Sequence, residues 1–237
     1  MSNYGPEISP WDHLTATTAL SAQRAAVIKQ TYVLFSLAVF SALAGGYIGG
    51  TSEVTARLFS GWLGWILALV LLNAVPRIAI AVRHNPVLGI SALAVDGFIS
   101  GLAISPLLYF ARLIAPDLIL AALGITGFVF IGVTAYVMLS GRTFSAPRGL
   151  MVGLFFSLMG ATLLNAFLNI GFLGLLISFG IGIFGVCVLV YSTSSVLHTP
   201  DADSPIPGAL MLFAGVFNVF VATLSILLRL FGGGRRN

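Results

Sequence analysis

Asp96 is the one carboxylate of this chain placed well inside a long apolar run. It lies about ten residues from the start of that run, and a rise of 1.5 Å per residue puts it about 15 Å in, near the middle of a bilayer. A charge there costs about 2.5 to 3.5 kcal/mol, enough to select either the protonated acid or a position facing polar neighbours. Ser100 falls one turn further on the same face. Two chemistries fit: a proton or cation site, or a neutral acid hydrogen-bonded across a glycine-lined helix contact. No second buried acid or base is evident to complete a relay.

The remaining intramembrane polar groups are amides and hydroxyls, namely Asn73, Asn165, Asn169, Tyr191, Ser192, Ser194, Ser195, Asn218 and Ser225. Such groups tie helices together. Asn165 and Asn169 are one turn apart, which predicts a polar seam rather than a conduction path. His13, His84 and His198 lie in different linkers and Cys187 stands alone in an apolar run, so neither a metal site nor an internal disulfide is expected. The chain offers neither a Gly-x-Ser-Gly stretch nor paired intramembrane aspartates, and it has no phosphate-cradling loop. Catalysis and a bound cofactor are therefore not expected.

These groups are carried by a chain of 237 residues that is 58% hydrophobic and only 8% charged, against roughly 25% charged in a soluble domain. That composition excludes an aqueous fold and predicts a polytopic, all-α membrane protein. Seven apolar runs are read at Thr31 to Ile48, Leu58 to Val75, Val87 to Phe110, Asp117 to Ser140, Gly149 to Leu168, Phe172 to Leu197 and Ile206 to Leu230. Residues 1–30 form an N-terminal tail whose Leu20 to Gln30 portion suits a short amphipathic interfacial helix. Residues 31–230 form the seven-helix domain, and 231–237 a short C-terminal tail. The first 30 residues lack an early apolar core, so the first span is expected to act as its own targeting signal. Pro106 is placed to kink or end the third helix, Trp62 and Trp65 suit an interfacial belt, and Asn169-Ile170-Gly171 allows only a tight antiparallel turn.

An odd number of spans puts the termini on opposite sides. Arg24, Lys29, Arg77, Arg83, Arg142 and Arg148 lie on the N-terminal side; Arg57, Arg112, Arg229, Arg235 and Arg236 lie on the other, a split of 6 against 5. Up to the fifth span the split is 6 against 2, and the early segments, inserted first, predict a cytoplasmic N-terminus and a periplasmic C-terminus. The net charge of +4 is spread thinly, without the basic stripe and aromatics that nucleic acid requires. The bilayer is the expected partner. Gly45/Gly49, Gly46/Gly50, Gly97/Gly101 and Gly149/Gly153 recur at four-residue spacing, which serves close helix packing within the chain or a self-association face.

Several strings, in order and spacing, resemble the Bax-inhibitor family, most closely its bacterial YccA-like branch. They are Leu20-Ser21, Thr31-Tyr32, Ser36-Leu37 and Phe40-Ser41-Ala42, then Ser100-Gly101-Leu102. Ala135-Tyr136-Val137, Arg142, Phe144-Ser145, Gly149-Leu150-Met151 and Gly153 continue the likeness, followed by Asn165-Ala166-Phe167-Leu168, Phe217-Asn218-Val219-Phe220-Val221 and Leu224-Ser225-Ile226-Leu227. The resemblance implies a seven-helix bundle with a central last helix. It also implies one of two roles. The first is binding to, and restraint of, the membrane-anchored AAA+ protease FtsH and its HflK/HflC partners in the bacterial inner membrane, with the N-terminal tail as the handle. The second is a pH-sensitive calcium or cation leak gated by two acids in the sixth and seventh helices. The positions of those acids are occupied here by Ser192, within Tyr191-Ser192-Thr193, and by Gly215, three residues before Asn218. Neither can share a proton or hold a divalent ion by charge, so the resemblance favours the first role. Asp96 maps onto neither position.

Overall fold

The computed structural model describes residues 10–200 and 204–232, with side chains from Ser21 onward except that of Arg148. The first nine residues of the expected tail and most of 231–237, including Arg235 and Arg236, lie outside the described residues. The elements are α1 (Pro10–Thr51), α2 (Glu53–Leu58), α3 (Gly61–Ala81), α4 (Pro86–Ala103), α5 (Ser105–Ile114), α6 (Asp117–Ser140), α7 (Arg148–Leu168), α8 (Gly171–His198) and α9 (Ile206–Phe231). Among the described residues, seven helices are long and apolar enough to cross a membrane: all but α2 and α5.

Local chemistry explains the helix ends. Asn85 caps α4 by accepting hydrogen bonds from the backbone N–H groups of Val87 and Leu88, with Pro86 where no N–H is needed. Ser52 caps α2 in the same way, accepting from Thr55. α6 ends on Gly141 and α7 on Asn169, both in the left-handed conformation, at φ 59° and 51°, the region that Gly and Asn tolerate best. Some expected boundaries differ. The third run is not one helix: it stops at Ala103 and restarts at Ser105, because Pro106 has no N–H to donate and its ring crowds the carbonyl one turn back. The Ser105 hydroxyl then donates to the carbonyl of Thr55, which fixes α5 against α2. The segment expected as a tail and separate interfacial helix is instead continuous from Pro10 with the first span.

α9 is central, packing against α8, α6, α1, α4 and α3. α7 stands outside and packs chiefly on α8, through the ring pair Phe155 and Phe184 and the fit of Leu158 over Gly180. The core gathers Leu93 of α4, Leu189 of α8, and Ala209, Leu212 and Phe213 of α9. The closest approach is between α1 and α4. A methyl group on Gly97 would overlap the carbonyl oxygen of Ala38, one on Gly101 that of Ala42, and one on Gly45 that of Phe98. Thus the first three glycine pairs serve packing within the chain, whereas Gly149 and Gly153 face open space.

This asymmetry separates substitutions of equal chemistry. Gly101→Val forces two backbones apart, an overpacking cost of about 1–3 kcal/mol, and should lower the thermal midpoint and folded yield in detergent. Gly153→Ala meets no obstacle and should be neutral or stabilising by up to about 1 kcal/mol. Equal unfolding midpoints for the two variants would show that the α1–α4 contact is looser than described.

Candidate functional site

Asp96 and Ser100 are both buried, each 3% exposed. They share a face of α4 with Leu93, which is part of the central core, and Asp96 is next to Gly97 in the contact with α1. Among the described residues no hydrogen bond or ion pair reaches the Asp96 carboxyl, and the ion pair present, Arg57 with Glu53, is at the surface on α2. The structure therefore places the acid beside a glycine-lined helix contact.

Ser192 and Gly215 come together in a different interface, between α8 and α9. Ser192 is fully buried and its hydroxyl donates to the carbonyl of Leu189 at 3.1 Å. Gly215 is buried against the same residue, and a Cβ there would lie 3.0 Å from both the Cα and the N of Leu189. One turn on, Asn218 packs against Gly185, and its amide donates to the carbonyl of Ala214 at 2.8 Å within its own helix. The seam is uncharged and tightly packed at Gly215, whereas Ser192 borders a cavity of about 190 Å³ that it shares with Thr31, Ser195 and Ser204. Asp96 is not part of it.

Asn165 is placed elsewhere again. Its side-chain oxygen accepts from the N–H of Ile170 at 3.1 Å, and its carbonyl accepts from Asn169 at 2.8 Å. With Asn169 in the left-handed conformation, the pair terminates α7 and turns the chain into α8 rather than forming a seam between helices. Sequence spacing also gives no sign of three buried hydroxyls, Tyr32 on α1 facing Thr134 on α6, and Thr193 on α8, which has no hydrogen-bond partner among the described residues. No spacing rule links them, since they come from three separate helices. The turns on the N-terminal side of the spans are tied by hydroxyls: Ser194 accepts from the Phe144 N–H at 2.7 Å, and Ser204 donates to the Arg83 carbonyl at 3.3 Å. No three His, Cys, Asp or Glu residues converge as a metal site among the described residues.

Seven spans with the last helix central among them, and Ser192 and Gly215 meeting across the α8–α9 contact, define a multi-pass membrane protein. The profile of the family described as "Inhibitor of apoptosis-promoting Bax1" matches residues 24–235, and the chain belongs to this Bax-inhibitor family. It is similar to the modulator of FtsH protease YccA of Escherichia coli K12, 32% identical over 89% of this chain and 92% of that protein. It is also similar to an uncharacterised protein of Neisseria meningitidis serogroup A, 30% identical over 91% and 96% of the two chains. A third relative, an uncharacterised protein of Pseudomonas aeruginosa, is 25% identical over 90% and 93%.

An uncharged α8–α9 seam, packed tight at Gly215, should conduct poorly. In liposomes, calcium flux is expected to be weak and nearly constant from about pH 6 to pH 8, the range in which a titratable gate would respond. Asp96→Asn, which keeps volume and hydrogen-bonding capacity, should change it little. Robust pH-dependent flux abolished by Asp96→Asn would make Asp96 the gate of a channel.

Proposed function

We propose that this chain is a bacterial inner-membrane protein that binds and restrains a membrane-anchored AAA+ protease of the FtsH type, with no catalysis of its own. The observation that carries the reading is the end-to-end similarity to the E. coli modulator, across 89% of this chain. The uncharged residues at Ser192 and Gly215 favour it over the cation leak, which would need acids in that interface. HflK and HflC are proposed as further partners on the same grounds, and self-association would use the glycines that packing leaves free, Gly149 and Gly153.

α1 supports an accessible handle. At 42 residues it is about 63 Å long, roughly twice the hydrocarbon thickness, and Ser21 to Ala26 are exposed. The excess length extends the chain's N-terminal end beyond the bilayer, where a soluble protease domain could reach it. The basic residues before the fifth span favour a cytoplasmic location for that side.

The direct test is affinity purification from native membranes. FtsH should co-purify with the tagged chain, and its absence under conditions that retain FtsH with its other partners would reject the binding reading. Deleting residues 3–19 should leave the core folded yet slow degradation by FtsH, since a processive protease engages a free terminus; unchanged turnover would rule out engagement from that end. For orientation, an alkaline-phosphatase fusion after Asn237 should be active in the periplasm, and strong activity from a fusion at Asn3 instead would invert the topology.

A further inference from the structure

A groove of about 570 Å³ runs between α1 and α6 with α9 as its floor. At its inner end the rings of Phe35 and Phe130 stack with centroids 5.0 Å apart and close it. It follows α1 from Phe35 to Thr51, sixteen steps or about 24 Å. That is close to half of a bilayer with its headgroups, about 20–22 Å. Its floor includes Phe217, its flank is open because Gly127 carries no side chain, and its outer rim on α1 includes Tyr47, 75% exposed. At the outer end stands Arg112, near the close of α5 and just before the turn into α6, so at the membrane boundary. Among the described residues Arg112 has no ion pair, whereas Arg57 on the neighbouring α2 is paired with Glu53. Asp117, in the first turn of α6, sits where the helix's own N–H groups favour its charge.

We propose that this groove holds one acyl chain of an anionic phospholipid from the leaflet opposite the N-terminus, with the lipid phosphate on Arg112. The dimensions and the chemistry agree. The walls are apolar over one leaflet's depth, and the cation stands where a headgroup would lie, with a guanidinium that fits phosphate oxygens in pairs. The alternative occupant, a transmembrane helix of a partner, would leave the Arg112 guanidinium at the groove's outer end without a matching anion. The volume lies within the usual range of small-ligand sites, about 300–1,000 Å³.

Gly127 supplies the decisive substitution. A side chain there meets nothing within 4 Å, so Gly127→Leu fills the groove without disturbing helix packing. Gly124→Leu, on the same helix with equally open surroundings but outside the groove, is its control. Delipidated protein in detergent is titrated with dioleoyl phosphatidylglycerol or dioleoyl phosphatidylcholine and read by native mass spectrometry. The wild type and Gly124→Leu should show one tight site that prefers phosphatidylglycerol by about tenfold, as a charge-assisted phosphate contact implies. Gly127→Leu should lose that site for both lipids by several-fold, and Arg112→Gln should keep an acyl site while losing the preference. Undiminished binding to Gly127→Leu, or an unchanged preference in Arg112→Gln, would overturn the proposal, as would lipids that add without a first tight site. If Gly127→Leu left lipid binding intact but abolished co-purification of a membrane partner, the groove would be a protein-docking surface and the lipid assignment would be wrong.

Discussion

Lipid tails are as apolar as leucine, so helices in a bilayer gain nothing from hiding apolar faces from one another and must associate through close contact. In this chain that constraint is met at its tightest between α1 and α4, where Gly45, Gly97 and Gly101 bring backbone against backbone with no room for a methyl group. Much else follows from that contact. It fixes the rotation of α4, and so turns Asp96 and Ser100 inward while Gly97 faces α1. It also fixes the exit of α4 at Ala103, so that α5 must lie back across α1 and α2, where Ser105 is tied to Thr55. Through α5 it sets the position of Arg112 at the mouth of the groove.

The sequence made the existence of the spans plain and some of their ends invisible. Asp117 to Ser140 was read to the residue, because Asp117 favours a helix start and Gly141 stops the helix by taking the left-handed conformation. α3 continues through Pro76 to Ala81, beyond the expected stop at Val75, since neighbouring groups in a membrane bundle can satisfy what a proline frees. The start of α1 was hidden for a different reason. Polar residues before the first span carry no signal that separates a loop from a helix continuing out of the bilayer. The glycine pairs show the limit most sharply. Gly97/Gly101 and Gly149/Gly153 have identical spacing, yet one pair is locked against α1 and the other faces open space. Spacing states what a helix surface permits, and only the partner surface decides its use.

The candidate site divides along the same line. Asp96 was legible because a lone carboxylate in an apolar run is anomalous in itself. Asn165 was not, because its role depends on chain direction: one turn beyond it the helix ends, and its side chain is consumed by the turn. The groove was least legible, since its walls come from five helices and its defining feature, the missing side chain at Gly127, is an absence that gains meaning only from α1 opposite.

In the α8–α9 seam, Ser192 and Gly215 determine more than charge. A Cβ at Gly215 would stand 3.0 Å from the backbone of Leu189, tighter than ordinary van der Waals contact, so a carboxylate there would require the two helices to separate. Ser192, for its part, is held by the carbonyl of that same Leu189. A small residue at Gly215 and a self-satisfied hydroxyl at Ser192 thus belong together: both meet Leu189, and they let α9 come close against α8 at that level. A polar path through this seam would have to break the packing of Leu189, a fully buried member of the central core. The close fit of Gly215 on Leu189 and the central seat of α9 are therefore one structural fact.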